Sequence, residues 1–132
     1  MRMFVDGKKC TACRMCQLVC SVTRFGEFSV HRANCHVEES EFIPKQATFC
    51  MQCKNPKCEE VCDVGAFEKT SVDGVLTINR EKCTKCGKCI TVCPFNAIHI
   101  DGTDGYPLKC DLCKTGEAKC VPQCPFQVLE VK

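Results

Sequence analysis

Residues Cys83 to Pro94 read C-T-K-C-G-K-C-I-T-V-C-P, and the rest of the chain is understood from this run. Three cysteines separated by two residues each, a fourth after three more and a proline behind it match the ligand spacing of a bacterial 4Fe-4S cluster loop. Cys83, Cys86 and Cys89 can wrap one face of a cuboidal cluster, with Gly87 free to take backbone conformations other residues avoid. Cys93 stands four residues beyond Cys89. A short helix starting near Cys89 sets both thiols on one side, one turn apart, and carries Cys93 away from its neighbours' cluster. Cys93 then ligates a second cluster. Pro94 lacks an amide proton and disfavours helix at the residue before it, so the helix is expected to end near Cys93.

The pattern recurs three times. Cys10, Cys13, Cys16 and Cys20 repeat the spacing without change, with Ser21 in place of the proline. Cys50, Cys53, Cys58 and Cys62 carry the insert Lys54-Asn55-Pro56-Lys57, with Asp63 after the last cysteine. Cys110, Cys113, Cys120 and Cys124 carry a longer insert and end on Pro125. Between the quartets lie short strand patterns: Met3-Phe4-Val5, a stretch around His36-Val37, a hairpin of Ala66-Phe67-Glu68 with Val75 to Ile78 about Asp73-Gly74, Ala97 to Ile100, Tyr106 to Leu108, and Val128 to Val131. Residues 22–46, with Phe25, Phe28, Phe42 and the acidic run Glu38, Glu39 and Glu41, read as a wrapping segment. Strand, cysteine loop, short helix carrying the fourth ligand, and strand recur, so the fold class is α+β, a duplicated small fold.

Composition narrows the chemistry. Seventeen cysteines in 132 residues lie far outside average usage. A secreted disulfide scaffold is disfavoured by the odd count and by a first quartet that opens at Cys10, leaving no room for a signal peptide; a cytoplasmic location is the expectation. Zinc sites use four ligands per metal and have no need of a third cysteine two residues on. Iron-sulfur clusters account for the triplets directly. The net charge of +2 divides evenly along the chain, which excludes a nucleic-acid or membrane surface. No apolar run approaches 18 residues, so no membrane span is expected. Four oxidised clusters, each about −2 with its thiolates, would bring the total to roughly −6. Halves this small need staples beyond a hydrophobic core, and metal–thiolate bonds would supply them, so the apo-protein is expected to be largely unfolded.

These quartets, together with F-C-M-Q-C-K-N-P-K-C-E-E-V-C at 49–62, K-C-D-L-C at 109–113 and C-V-P-Q-C-P at 120–125, resemble the four-cluster ferredoxin-type electron-transfer subunits of anaerobic oxidoreductases. Such subunits accompany molybdenum or tungsten pterin enzymes of the dimethyl-sulfoxide-reductase, formate dehydrogenase and aldehyde oxidoreductase types, and some hydrogenases and carbon monoxide dehydrogenases. Spacing alone permits tandem pairing of the quartets. The resemblance implies nested pairing instead, with residues 1–46 plus 103–132 forming an outer dicluster module and residues 47–102 an inner one. It implies four ligand sets: Cys10, Cys13, Cys16 and Cys124; Cys20, Cys110, Cys113 and Cys120; Cys50, Cys53, Cys58 and Cys93; and Cys62, Cys83, Cys86 and Cys89. The result would be a line of four 4Fe-4S clusters between a catalytic subunit, with a molybdenum or tungsten pterin partner favoured, and a second electron donor or acceptor. A free polyferredoxin carrier, a hydrogenase or carbon monoxide dehydrogenase subunit, and a self-associating conducting filament are the alternatives. Relatives often carry longer insertions and a membrane-contacting tail; any anchor is expected on another subunit.

Outside the quartets, Cys35 reads as a small buried hydrophobe or idle thiol. His31, His36 and His99 receive no catalytic role, since no serine, histidine and acid arrangement accompanies them. Tyr106 and the phenylalanines read as core and cluster packing. Asp63, beside a cluster ligand, either is a tolerated surface residue or lowers that cluster's potential.

Overall fold

A computed structural model describes residues 1–29, 31–39 and 44–132. In chain order these form β1 (Met3–Val5), α1 (Met15–Phe25), β2 (His36–Glu39), β3 (Pro44–Thr48), α2 (Lys57–Glu60), β4 (Phe67–Lys69), β5 (Leu76–Ile78), α3 (Lys88–Val92), β6 (His99–Ile100), β7 (Pro107–Leu108) and β8 (Leu129–Val131), with one 3-10 turn over Leu112–Lys114. The strands pair antiparallel in twos: β1 with β8, β2 with β3, β4 with β5, and β6 with β7. Met3 faces Val131 and Val5 faces Leu129, so the two ends of the chain close on one another. The hairpin expected about Asp73-Gly74 is present, in the register Phe67 with Ile78 and Lys69 with Leu76, and Gly74 supplies the positive φ of 79° its turn requires. β3 begins within the stretch read as a wrapping segment, at Pro44, and makes its end half of a hairpin. Glu41 and Phe42 of that stretch lie outside the described residues.

In the two quartets of like spacing, helix length differs with the residue after the fourth cysteine. Pro94 stops α3 at Val92 and leaves Cys93 extended, with φ −67° and ψ 114°. Ser21 imposes no such stop, and α1 runs 11 residues, through Cys20 to Phe25, before Gly26 closes it at φ 72° with its N–H on the Val22 carbonyl. After the other three quartets the chain makes one shared turn. Gly65, Asn96 and Gln127 donate their N–H groups to the carbonyls of Cys62, Cys93 and Cys124 at 3.4, 3.3 and 3.2 Å, each with positive φ. Asp63 therefore occupies the same turn as Pro94 and Pro125. The expected recurrence of a helix at every quartet fails at the fourth: the 3-10 turn holds Cys113, and Cys120 to Cys124 is built of turns. Between Cys120 and Cys124 stands Pro122, which has no N–H for a helical bond.

The core is small and includes the cysteines themselves. Cys16, Cys50, Cys110 and Cys120 are buried in one cluster with Met3, Val37, Phe49, Val75, Leu112 and Leu129. An ionic clasp locks distant segments together. Arg32 reaches Glu27, Asp101 and Asp104 at 2.9, 3.0 and 3.2 Å, and Arg80 joins the same two aspartates. Phe25 lies against both guanidinium groups, at 4.1 and 4.9 Å. Among the described residues no helix is long and apolar enough to cross a membrane.

Candidate metal centres

Each cysteine loop uses left-handed backbone just before its second ligand. Ala12, Gln52, Lys85 and Leu112 have φ between 48° and 61°, although none is glycine. The reason is local. This twist turns backbone N–H groups inward onto sulfur: Gln52 donates to Cys50 and Lys85 to Cys83, both at 3.4 Å. Two further backbone groups serve the fourth ligands, Asn34 donating to Cys20 at 3.2 Å and Ala66 to Cys62 at 3.3 Å. Such bonds to ligand sulfur stabilise thiolate and raise the potential of a bound cluster.

Three cavities of about 330–380 Å³ gather the quartet cysteines. Cys10, Cys13, Cys16 and Cys124 line one, bringing the first loop against the end of the chain. Cys20, Cys110, Cys113 and Cys120 line the second. Cys50, Cys53, Cys58 and Cys93 line the third. For the remaining four, the Cys89 thiol lies within the electrostatic reach of Cys83 and Cys86, and Cys62 follows α2, which packs against α3.

The donor set fits a cuboidal cluster better than a single ion. Among the described residues no three His, Cys, Asp or Glu side chains close on one point as a metal ion requires. Zinc needs four ligands about 2.3 Å from one centre; quartets splayed around a cavity suit four thiolates on four different irons. Burial pushes the thiols up, Cys58 and Cys89 to about 11 and Cys110 to about 12, so loading must displace tightly held protons. Cys20 moves the other way, to about 7, chiefly through a hydrogen bond from the Cys35 thiol and despite its burial.

The structure also gives places to residues that sequence reasoning left aside. Cys35, 1% exposed, is buried as expected, and its thiol acts on both Cys16 and Cys20, lowering each, so it stands beside two different sites. Asp111 is buried beside Cys110 and accepts both bonds of Arg24, at 2.8 and 2.9 Å, and the Thr77 hydroxyl at 2.8 Å. Lys109 is buried on the other side of the same cysteine. Charges flanking a ligand are visible in the sequence; their burial is not. Of the phenylalanines read as core and cluster packing, Phe49 is buried in the core and Phe95 and Phe126, half exposed, line two of the cysteine cavities; Phe28 needs correction, at 78% exposed. Phe95 and Phe126 both follow Cys-Pro in the shared turn. Asp63 is exposed and paired with Lys88 at 2.6 Å.

Residues 38–132 match the family model described as a 4Fe-4S dicluster domain. A selenate reductase subunit of Mesobacillus selenatarsenatis is 38% identical over 104 residues, 75% of this chain and 35% of that protein. A subunit of the anaerobic dimethyl sulfoxide reductase of Haemophilus influenzae is 30% identical over 124 residues, 83% of this chain and 60% of that one. The chain thus spans less than two thirds of either relative. Among solved structures, the active site complex BamBC of benzoyl coenzyme A reductase aligns over 98% of this chain and 75% of that one with a TM-score of 0.55 at 22% identity, a likeness of fold.

Proposed function

As the chain is a member of the 4Fe-4S dicluster domain family, we propose that it is an electron-transfer subunit carrying four 4Fe-4S clusters. The ligand sets are those of nested pairing: Cys10, Cys13 and Cys16 with Cys124; Cys20 with Cys110, Cys113 and Cys120; Cys50, Cys53 and Cys58 with Cys93; and Cys62 with Cys83, Cys86 and Cys89. Residues 1–46 plus 103–132 make the outer module and residues 47–102 the inner. The observation that carries this reading is the cavity shared by the first cysteine loop and Cys124, residues more than a hundred positions apart. Tandem pairing would require the first loop to face Cys62 instead.

When bound, each cluster supplies reversible one-electron chemistry. The protein's own part is to hold sixteen thiolates, to exclude water from Cys16, Cys50, Cys89, Cys110 and Cys120, and to aim backbone N–H groups at sulfur. Cys13, Cys53 and Cys86 are exposed, each the second ligand of its loop, and give three of the four sites an edge where electrons can enter or leave. The partner favoured is a molybdenum or tungsten pterin reductase subunit, a preference supported by the likeness to the two reductase relatives. Gel filtration of native extract under anaerobic conditions tests the subunit reading: the chain should elute with a larger redox protein. Elution alone, with clusters intact, would make it a diffusing carrier.

A further inference from the structure

Lys109 is buried, at 5% exposure, in a chain whose described lysines and arginines are mostly exposed or half-buried. Its ammonium has three protons to give, and three oxygens receive them: Gln52 Oε1 at 3.2 Å, the Leu76 carbonyl at 2.6 Å and the Cys110 carbonyl at 3.2 Å. All three acceptors are uncharged. Asp111, the acid closest in sequence, is engaged by Arg24 and Thr77 instead. Gln52 also donates Nε2 to the Cys110 carbonyl at 2.8 Å, so one amide and one ammonium fasten the second cysteine loop to the fourth. A scaffold needing only this link could use neutral groups, because a buried charge is costly unless another charge compensates it.

What lies on both sides of it is cysteine sites. Lys109 lines the cavity of Cys50, Cys53, Cys58 and Cys93, while its neighbour Cys110 lines that of Cys20, Cys113 and Cys120. Building on the cluster ligation proposed above, we infer that Lys109 is a positioning and tuning residue that raises the reduction potentials of these two clusters relative to the other two. Reduction adds one electron to a cluster, and a fixed positive charge in a poorly screened interior favours that added charge. The middle of the wire, where the outer and inner modules meet, becomes the place where electrons rest.

The test is a redox titration of the whole chain, anaerobically loaded, with dithionite supplying one electron per cluster through mediators and each signal followed by electron paramagnetic resonance. In Lys109→Met, two of the four midpoint potentials should fall and two should stay, while Lys109→Arg, which keeps the charge, should hold all four near the wild-type values. Should Lys109→Met load fewer clusters, Lys109→Gln keeps a donor for the same oxygens and carries the same expectation. Full iron content with four unchanged potentials in the neutral variant would overturn the inference, as would an Arg variant that falls as far as the Met one. A wild-type chain that takes up no iron and sulfide would instead remove the function proposed above.

Discussion

The first and third quartets share one cysteine spacing and differ in the residue that follows, and their structures part at that point. Behind Cys93, Pro94 ends α3 after five residues. Behind Cys20, Ser21 lets α1 continue for 11, and the extra turn has two consequences. It brings Arg24 onto the buried Asp111 beside Cys110, 87 residues away in sequence. It also buries Ser21 completely, its hydroxyl donating to the Glu27 carbonyl at 2.5 Å and accepting the Ser29 N–H at 3.0 Å. The spacing therefore specifies where thiols go, while the next residue decides whether the fourth-ligand helix also serves as a tie to another loop.

Making the first quartet resemble the third is expected to have the largest effect. Ser21→Pro removes a helical hydrogen bond, clashes with the preceding turn and deletes both bonds of the hydroxyl, for a loss of about 4 kcal/mol. Denaturant titration of anaerobically loaded protein reads it; a loss under about 1 kcal/mol would show that α1 beyond Cys20 is dispensable. Removing only the tie should cost somewhat less. Arg24→Gln leaves Asp111 a buried carboxylate with Thr77 as partner, expected to cost about 3 kcal/mol since Arg24 itself is only a quarter exposed.

The regions behind the two quartets also meet, through His36 on β2 and His99 on β6, whose rings lie 4.5 Å apart. Burial, and then the neighbouring His36, depress His99 from 6.5 to about 4. The fold therefore favours the neutral ring, and the unfolded chain binds the proton more readily between these values. This stability is fully present above pH 6.5 and is lost as pH falls through 4, by up to about 3 kcal/mol. In His99→Gln the slope of stability against pH should flatten over that window relative to wild type; equal slopes would show that the contact contributes nothing.

The reverse swap should matter least. Pro94→Ser leaves the Cys93 to Asn96 turn bond in place at an exposed position and is expected to change stability by less than about 1 kcal/mol. A lengthened α3 in its nuclear magnetic resonance shifts is expected, since Pro94 is the stop; an α3 that still ends at Val92 would mean that the turn, and not the proline, ends the helix.

These contrasts mark what the residues disclose and what they hide. The cysteine runs and the Asp73-Gly74 hairpin are local, each specified by spacing or turn chemistry within a few residues, while the strand at Met3 to Val5 shows in its apolar residues although its partner β8 lies at the other end of the chain. Pro94 as a helix stop is equally local. What escaped has other causes: β3 pairs back onto its sequence neighbour β2, the fourth quartet has Pro122 between its last two ligands, and Lys109 and Asp111 are held inside by partners far along the chain, Gln52 and Leu76 for the one, Arg24 and Thr77 for the other. At Asp63 the reading as a tolerated surface residue agrees with the structure: Gly65 completes the shared turn without a proline, and the exposed carboxylate pairs with Lys88.

The proposed function rests on sixteen cysteines acting as four sets of four. Iron, acid-labile sulfide and zinc per molecule, measured on anaerobically purified protein, test that most directly. About sixteen iron and sixteen sulfide, four clusters of four, are the expected result; zinc without sulfide would contradict it and leave a structural metal protein.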